Sequence, residues 1–240
     1  MATNAAPARP KKPRRIGRRL IAWVLKLLLL FVVGSLLWVV AYRFINPPVT
    51  FTMMGDWFEG RSITKQWMPL GDIDPAMARA VIAAEDSDFC SHSGFDYAAI
   101  ASAAARNAQG GRIRGGSTIS QQTAKNAFLW QGGGFFRKGL EAWFTVLIEL
   151  VWGKERIMEV YLNVAETGIA TYGVNAGSQR YFGHGASRMT AREAAQIAAV
   201  LPLPKKRAGK SPTGFTARYA GTIQRRIAVV SNQGLDDCLY

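Results

Sequence analysis

Leu20 to Tyr42 is a run of 23 residues, apolar but for Lys26, Gly34 and Ser35. As a helix it rises roughly 34 Å at ~1.5 Å per residue, enough to cross the hydrocarbon of a bilayer. Lys26 lies near the basic end, where it can snorkel, and Trp23, Trp38 and Tyr42 sit near the two rims as an aromatic belt does. Residues 1–19 carry seven basic side chains (Arg9, Lys11, Lys12, Arg14, Arg15, Arg18, Arg19) and no acid, which places the N-terminus on the cytoplasmic side. A cleaved signal peptide has a shorter apolar core, and no small-x-small site follows Val40, so the run reads as an uncleaved anchor. The expected organisation is a basic cytoplasmic tail (1–19), a transmembrane anchor (20–42), a juxtamembrane segment (43–69) and a folded domain (70–240) outside the cytoplasm.

The formal charge of +14 is concentrated at the N-terminus. From Phe44 onward 21 basic residues face 16 acidic ones, a net of +5. With no zinc-finger or RNP-type motif, that balance argues against nucleic acid and suits an anionic lipid surface or a phosphate-bearing substrate. The two cysteines, Cys90 and Cys238, are too few for a disulfide framework. An oxidising compartment permits a bridge, but Cys238 is among the last three residues and is expected to stay unpaired.

Asn46-Pro47-Pro48 makes a stiff exit from the anchor, and Val49–Pro69 reads as extended, with Met, Trp and Phe that touch either lipid or the domain. From Asp74 the period is helical. Asp74-Pro75 opens a helix to about Glu85, and Asp96 caps an Ala-rich helix ending at Gly110-Gly111. Further helices are expected over Thr118–Leu129, Phe135–Trp152, Lys154–Val164, Tyr172–Phe182 and Thr190–Leu201, with a last one after Ser211-Pro212. Strand-like alternation competes only weakly, around residues 49–54. The fold class is all-α, built of many short helices.

Four clusters carry candidate chemistry. The first, Glu85 to Asp96, packs four acids, a histidine and a thiol behind the apolar run Ala80–Ala84; on its own it reads first as a helix end and a cap, and only second as a site. In the second, Arg114-Gly115-Gly116-Ser117-Thr118-Ile119-Ser120-Gln121-Gln122, glycines lead into hydroxyls at a helix start, an arrangement suited to anions. Gln121 and Lys125, at i, i+4, are expected to point into one groove. The third, Arg137-Lys138-Gly139-Leu140-Glu141, is either a surface ion pair or a carboxylate entering an apolar helix. The fourth, Lys154 to Asn163 with Glu166 and Tyr172, is explained mainly by amphipathic packing. His92 and His184 are far apart and no Cys/His spacing fits a metal. Ser62-Ile63-Thr64-Lys65 matches a penicillin-binding S-x-x-K, but no S-D-N or K-T-G accompanies it.

These clusters, in this order, resemble the peptidoglycan glycosyltransferases of family 51, and most closely the monofunctional biosynthetic transglycosylases among them. The matching residues are Glu85-Asp86-x-x-Phe89-x-x-His92-x-Gly94-x-Asp96, Gly115 to Gln122, Arg137-Lys138-x-x-Glu141, Arg156-Ile157-x-Glu159-x-Tyr161-Leu162-Asn163, and Tyr172-Gly173-x-x-Ala176 leading to Tyr181-Phe182-Gly183. The resemblance spans about residues 70–205. It implies a lysozyme-like all-α fold, lipid II and the growing lipid-linked glycan as substrates, and an inner-membrane enzyme with a periplasmic domain. Other cell-wall synthesis or division proteins are its implied partners. It implies Glu85 as general base and Glu141 as a second catalytic glutamate. Ser117, Gln121, Gln122, Lys125, Arg137, Lys138, Asp86 and Arg114 would bind substrate and pyrophosphate. A requirement for Mg²⁺ or Mn²⁺ is left open, with Glu141 as the residue that would organise such an ion. Where relatives carry an arginine eight residues after the lysine, this chain has Gly133, so Arg137 or Arg114 is expected to replace that contact.

A lysozyme-like hydrolase or lytic transglycosylase, which also needs two carboxylates, is the nearest alternative. A non-catalytic scaffold is a second; intact Glu85 and Glu141 argue against it. The short stretch after Pro204 argues against an added transpeptidase domain.

Overall fold

The computed structural model describes residues 15–110 and 116–240. Arg114, Gly115 and most of the basic tail therefore lie outside the described residues. The chain divides into two compact units, one up to Trp38 and one from Val39 to Tyr240. The first consists of most of α1 (Arg15–Phe44), whose large apolar side chains from Leu20 to Leu30 are exposed along the helix.

The second unit is helical. Its elements are α2 (Phe51–Phe58), α3 (Pro75–Glu85), α4 (Tyr97–Ala108), α5 (Ile119–Phe128), α6 (Gly134–Val151), α7 (Lys154–Val164), α8 (Val174–Phe182), α9 (Ala191–Val200) and α10 (Gly214–Asn232). Helix boundaries follow local chemistry. Asp74 accepts the Ala76 N–H with Pro75 at the first helical position, and Asp96 accepts the Ala99 N–H. Thr118 with Gln121, and Thr190 with Glu193, close reciprocal capping boxes at the starts of α5 and α9.

Two helical layers share one core. The Ala-rich faces of α3 and α9 pack against each other and against α10, while α5 packs on α6 and α7. Met77, Val81 and Ile82 of α3 are fully buried, each contributing about 1.5–3 kcal/mol by burial. Phe128 stacks on Phe144 with ring centroids 4.6 Å apart and also meets Trp152, locking α5 to α6. The buried end of α3 and the buried start of α5 thus face each other across the core. That is where the first two sequence clusters meet.

Three expectations are corrected. The stretch after Pro48 is not extended: Thr50 accepts the Met53 N–H and starts α2, whose Met53 and Asp56, at i, i+3, turn inward. A small sheet of order β1-β3-β2 forms from β1 (Thr64–Lys65), β2 (Glu166–Gly168) and β3 (Thr171–Tyr172). Its strands are too short to give alternation, and Tyr172 belongs to β3 instead of opening α8.

The third concerns the cysteines: Cys90 and Cys238 form a disulfide, with Cα atoms 5.5 Å apart. The C-terminal turn is held in place because Arg79 donates to Asp236 (2.6 Å) and Leu239 is buried, which brings Cys238 to the loop after α3. Cross-linking positions 148 residues apart constrains the unfolded chain strongly. Reduction, or Cys238→Ser, is expected to lower the domain's stability by about 2–5 kcal/mol. Thermal melts with and without reductant test this; identical melts would mean that the bridge contributes nothing.

Candidate active site

Glu85 is the last residue of α3, and Asp86 caps that helix. The Asp86 side chain is buried and receives three contacts. His92 Nε2 lies 3.0 Å from Oδ1 and 3.1 Å from Oδ2, and the Ile119 N–H donates to Oδ2 at 2.9 Å. The last is an otherwise unpaired amide of the first turn of α5, where a carboxylate also meets the positive end of the helix dipole. The Gly94 N–H donates to His92 Nδ1 (3.1 Å), which makes Nε2 the protonated nitrogen, donating to Asp86. Gly94 is a position of necessity: its φ is +92°, and a Cβ there would lie 2.8 Å from Thr145 Cγ2. Thr118 Oγ1 donates to its carbonyl at 2.7 Å. Phe89, His92, Gly94 and Asp96 therefore build the loop, and Asp86 fastens it to α5.

Glu85 is half-buried, and Gln122 Nε2 donates to its Oε2 at 2.9 Å. Burial raises the Glu85 pKa above the ordinary value; the Gln122 hydrogen bond and the charges of Lys125 and Arg207 oppose the rise without cancelling it. Behind Gln122 stands buried Tyr161, whose hydroxyl donates to Gln122 Oε1 at 3.4 Å. Glu85, Asp86, Ser117 and Arg226 line one recess of about 270 Å³. Gln122 and Lys125 line a larger cleft of about 330 Å³ with Thr52, Tyr161, Glu166 and Lys205. Gln122 thus stands between the two cavities.

Glu141 is not part of a surface ion pair. It is 3 % exposed, its Oε2 accepts from Arg137 Nη1 at 2.7 Å, and its Oε1 accepts from Lys138 Nζ. Lys138 also donates to Ser117 Oγ at 3.2 Å, tying α6 to the loop before α5. Arg137 keeps one buried donor, its Nε–H, with no partner among the described residues. Lys125 is half-buried and its pKa is lowered, first by burial and then by Arg137 and Lys138, against the pull of Glu141 and Glu85. Three cations and two carboxylates thus share one neighbourhood, with an excess of positive charge.

Gln121 departs from expectation. It is buried, and its Oε1 accepts the Thr118 N–H at 3.0 Å, so the capping box takes the side-chain oxygen. Gln122, one residue on, lines the cleft with Lys125 instead. Gly133 holds φ +88° at the start of α6, and a Cβ there would lie 2.9 Å from Arg137 Cβ and 3.0 Å from Trp130 Nε1. The position expected to differ from relatives is therefore filled from the side by Arg137. Both Glu141 oxygens are taken by cations, and no group of three or more His, Cys, Asp or Glu gathers among the described residues. The donor set at Glu141 does not fit Mg²⁺ or Mn²⁺ in this arrangement.

The fourth cluster holds the scaffold. Lys154 Nζ donates to the His92 carbonyl and to Glu149 Oε1, both at 2.7 Å, and lies 4.5 Å from the Phe89 ring centre. Glu159 accepts the Leu70 N–H (3.0 Å), and Asn163 brackets the Met68 amide and carbonyl. The sequence alone does not show the far wall of the cleft, where Thr52, Lys205 and Lys206 join Glu166 of the fourth cluster, with Arg207 near Glu85. The run Lys205-Lys206-Arg207 was the available signal, but nothing local tells it from a solvated charge run.

A carboxyl whose folded pKa lies above its unfolded value holds more protons folded than unfolded between the two values. Glu85 therefore makes the fold less stable as pH rises through that window. Glu85→Gln, which keeps an acceptor for Gln122, should melt higher than the wild type at pH 8, with the difference closing toward pH 4. Melting curves across that range check it; a lower melting temperature at pH 8 would mean that Glu85 carries no such burden.

Residues 52–232 match the family model described as Transglycosylase. The chain is 49% identical over 226 residues to a biosynthetic peptidoglycan transglycosylase of Caulobacter vibrioides, covering 94% of this chain and 97% of the relative. A protein of the same description from Xanthomonas campestris is 46% identical over 241 residues, covering 98% of each chain. One from Pseudomonas putida is 48% identical over 215 residues, covering 87% of this chain and 91% of the relative. The match reaches from α2 through α10 and takes in every described residue of the two cavities, and the chain belongs to the transglycosylase family, with its lysozyme-like fold.

Proposed function

We propose that the chain polymerises lipid II, with Glu85 as the general base. Peptidoglycan transglycosylase activity in cell-wall biosynthesis follows from the family and from near full-length relatives of that description. The finer chemistry is our reading. Glu85 removes the proton of the acceptor GlcNAc 4-hydroxyl as its oxygen attacks the anomeric carbon of the donor MurNAc. The configuration inverts, and undecaprenyl pyrophosphate leaves with the bond's electron pair. A neutral hydroxyl is a poor nucleophile, and a carboxylate with a raised pKa is a better base for it than an ordinary one. The developing charge on pyrophosphate meets Lys125, Arg137 and Lys138 in a partly dry site, with Ser117 and Gln122 as hydrogen-bonding neighbours and Arg114 as a further cation. Asp86 and Gln121 act by holding α5, and Glu141 by ordering Arg137 and Lys138.

The observation that carries this reading is the contrast between the two glutamates. Glu85 faces a neutral amide in a recess, whereas Glu141 is bound by two cations beside Ser117. A hydrolase that used Glu141 to activate water would need that carboxylate free.

The proposed placement is the bacterial inner membrane, with residues 1–19 cytoplasmic, 20–42 spanning and the remainder periplasmic. One helix, Gly17–Phe44, is long and apolar enough to cross, and the Cys90–Cys238 bridge supports an oxidising side for the domain. Lipid II, the growing glycan and the membrane are the partners this reading requires, and other cell-wall or division proteins are further partners suggested by the family.

Purified full-length protein given lipid II should form glycan polymer. Glu85→Gln, checked for an intact melt, should lose about 10²–10⁴-fold of that rate. A Glu85→Gln protein that still polymerised, or release of fragments from mature sacculi without polymerisation, would overturn the reading.

A further inference from the structure

Asp56 is among the most buried acidic side chains of the described chain, 2 % exposed, yet it lies on α2, outside every cluster with an assigned role. Three donors converge on it: Arg61 Nη1 at 2.6 Å and Lys205 Nζ at 2.7 Å on Oδ1, and the Tyr172 hydroxyl at 2.7 Å on Oδ2. Burial alone would raise its pKa, but these hydrogen bonds outweigh burial and hold it below the ordinary value. A charged carboxylate is therefore kept where its desolvation is costly, and besides nearby Arg61 its partners Tyr172 and Lys205 come from distant parts of the chain.

One of those partners faces the cleft. Lys205 lines the 330 Å³ cavity together with Lys125, Lys206 and Gln122. Its side chain is 44% exposed, and a free lysine there would sample many rotamers in solvent. Asp56 draws its ammonium to the wall, 3.7 Å from Glu166 Oε1, an atom with no hydrogen-bond partner among the described residues. Thr52, one turn before Asp56 on α2, lines the same cavity and accepts from Gln131 Nε2 at 3.1 Å. The wall is thus built by α2 from behind, and three lysines with one acid give it a cationic surface suited to a group of high negative charge.

We propose that Asp56 is a positioning residue for the transferase reaction, fixing Lys205 at the cleft wall to receive a phosphate of the lipid-linked substrate. The inference rests on the function proposed above, since it takes lipid II as the ligand. Asp56 itself touches no substrate. Its contribution is pre-organisation: the ordering of Lys205 is completed on folding instead of at binding.

Full-length Asp56→Asn and Lys205→Met, with the double variant, test this in the lipid II polymerisation assay. Each single change should raise KM about tenfold, the scale of one lost hydrogen bond to a charged group, with kcat within about threefold. The double variant should be no worse than Lys205→Met alone, because both changes remove the same contact. Lipid II with its stem-peptide carboxylates amidated should show the same KM rise. A KM unchanged in Lys205→Met, a double variant whose KM rise is the product of the two singles, or a rise that vanishes with the amidated substrate would overturn the assignment. If Asp56→Asn does not melt cooperatively, Lys205→Met decides alone. A lowered melting temperature with wild-type KM would make the cluster purely structural. Wild-type protein that makes no polymer would instead refute the underlying function.

Discussion

The site depends on the side chain of Asp86. Asp86 caps α3 immediately after Glu85 through its backbone, while its buried carboxylate satisfies the first amide of α5 and, with the Gly94 N–H, fixes His92 in a single tautomer. Without that carboxylate, the junction between the helix carrying Glu85 and the helix carrying Gln122 and Lys125 would rest on the Gln122–Glu85 and Thr118–Gly94 hydrogen bonds. An uncompensated buried amide and a free histidine ring would both be left. The loop is braced a second time by Lys154 from below and a third time by the Cys90–Cys238 bridge. A base that must meet a hydroxyl within hydrogen-bonding distance gains from such redundancy.

Around that anchor the fold separates two carboxylates by environment. Glu85 lies in a recess with a neutral donor, so burial dominates and its proton affinity rises. Glu141 lies between Arg137 and Lys138, so its charge is spent on holding two cations in place. In the proposed reaction the same residue type would serve opposite ends of one displacement: one glutamate to take a proton, the other to organise positive charge where negative charge leaves. Lys125 reports the coupling, since both glutamates and both cations act on it.

Much of this was legible in the sequence because the signals are local. Asp74-Pro75 and Asp96 start their helices where read, and α7 spans Lys154–Val164 as its period indicated. Among the described motif residues Gln122 reaches Glu85 and Lys138 reaches Ser117 and Glu141, whereas the side-chain oxygen of Gln121 goes to the capping box. What was not legible depends on distant partners. The place of Cys238 near the end gives no sign of a partner, yet α10 returns along α3 and Arg79 pins the turn that carries it. α2 leaves no helical period in the sequence because its inward face, Met53 and Asp56, is too small, and Asp56 makes sense only beside Tyr172 and Lys205. Strands of two or three residues leave no alternation at all. The cleft wall at Lys205 becomes visible only when the chain beyond Pro204 folds back over α2.

The central claim is that Glu85, with its proton affinity raised by burial, is the base. The pH dependence of kcat/KM for lipid II polymerisation tests it most directly, because that quantity reports the essential groups of the free enzyme. The account predicts an acidic limb whose midpoint lies above the ordinary glutamate value of about 4.3, and its absence from the residual activity of Glu85→Gln. A limb at or below that ordinary value, or the same limb surviving in Glu85→Gln, would contradict it.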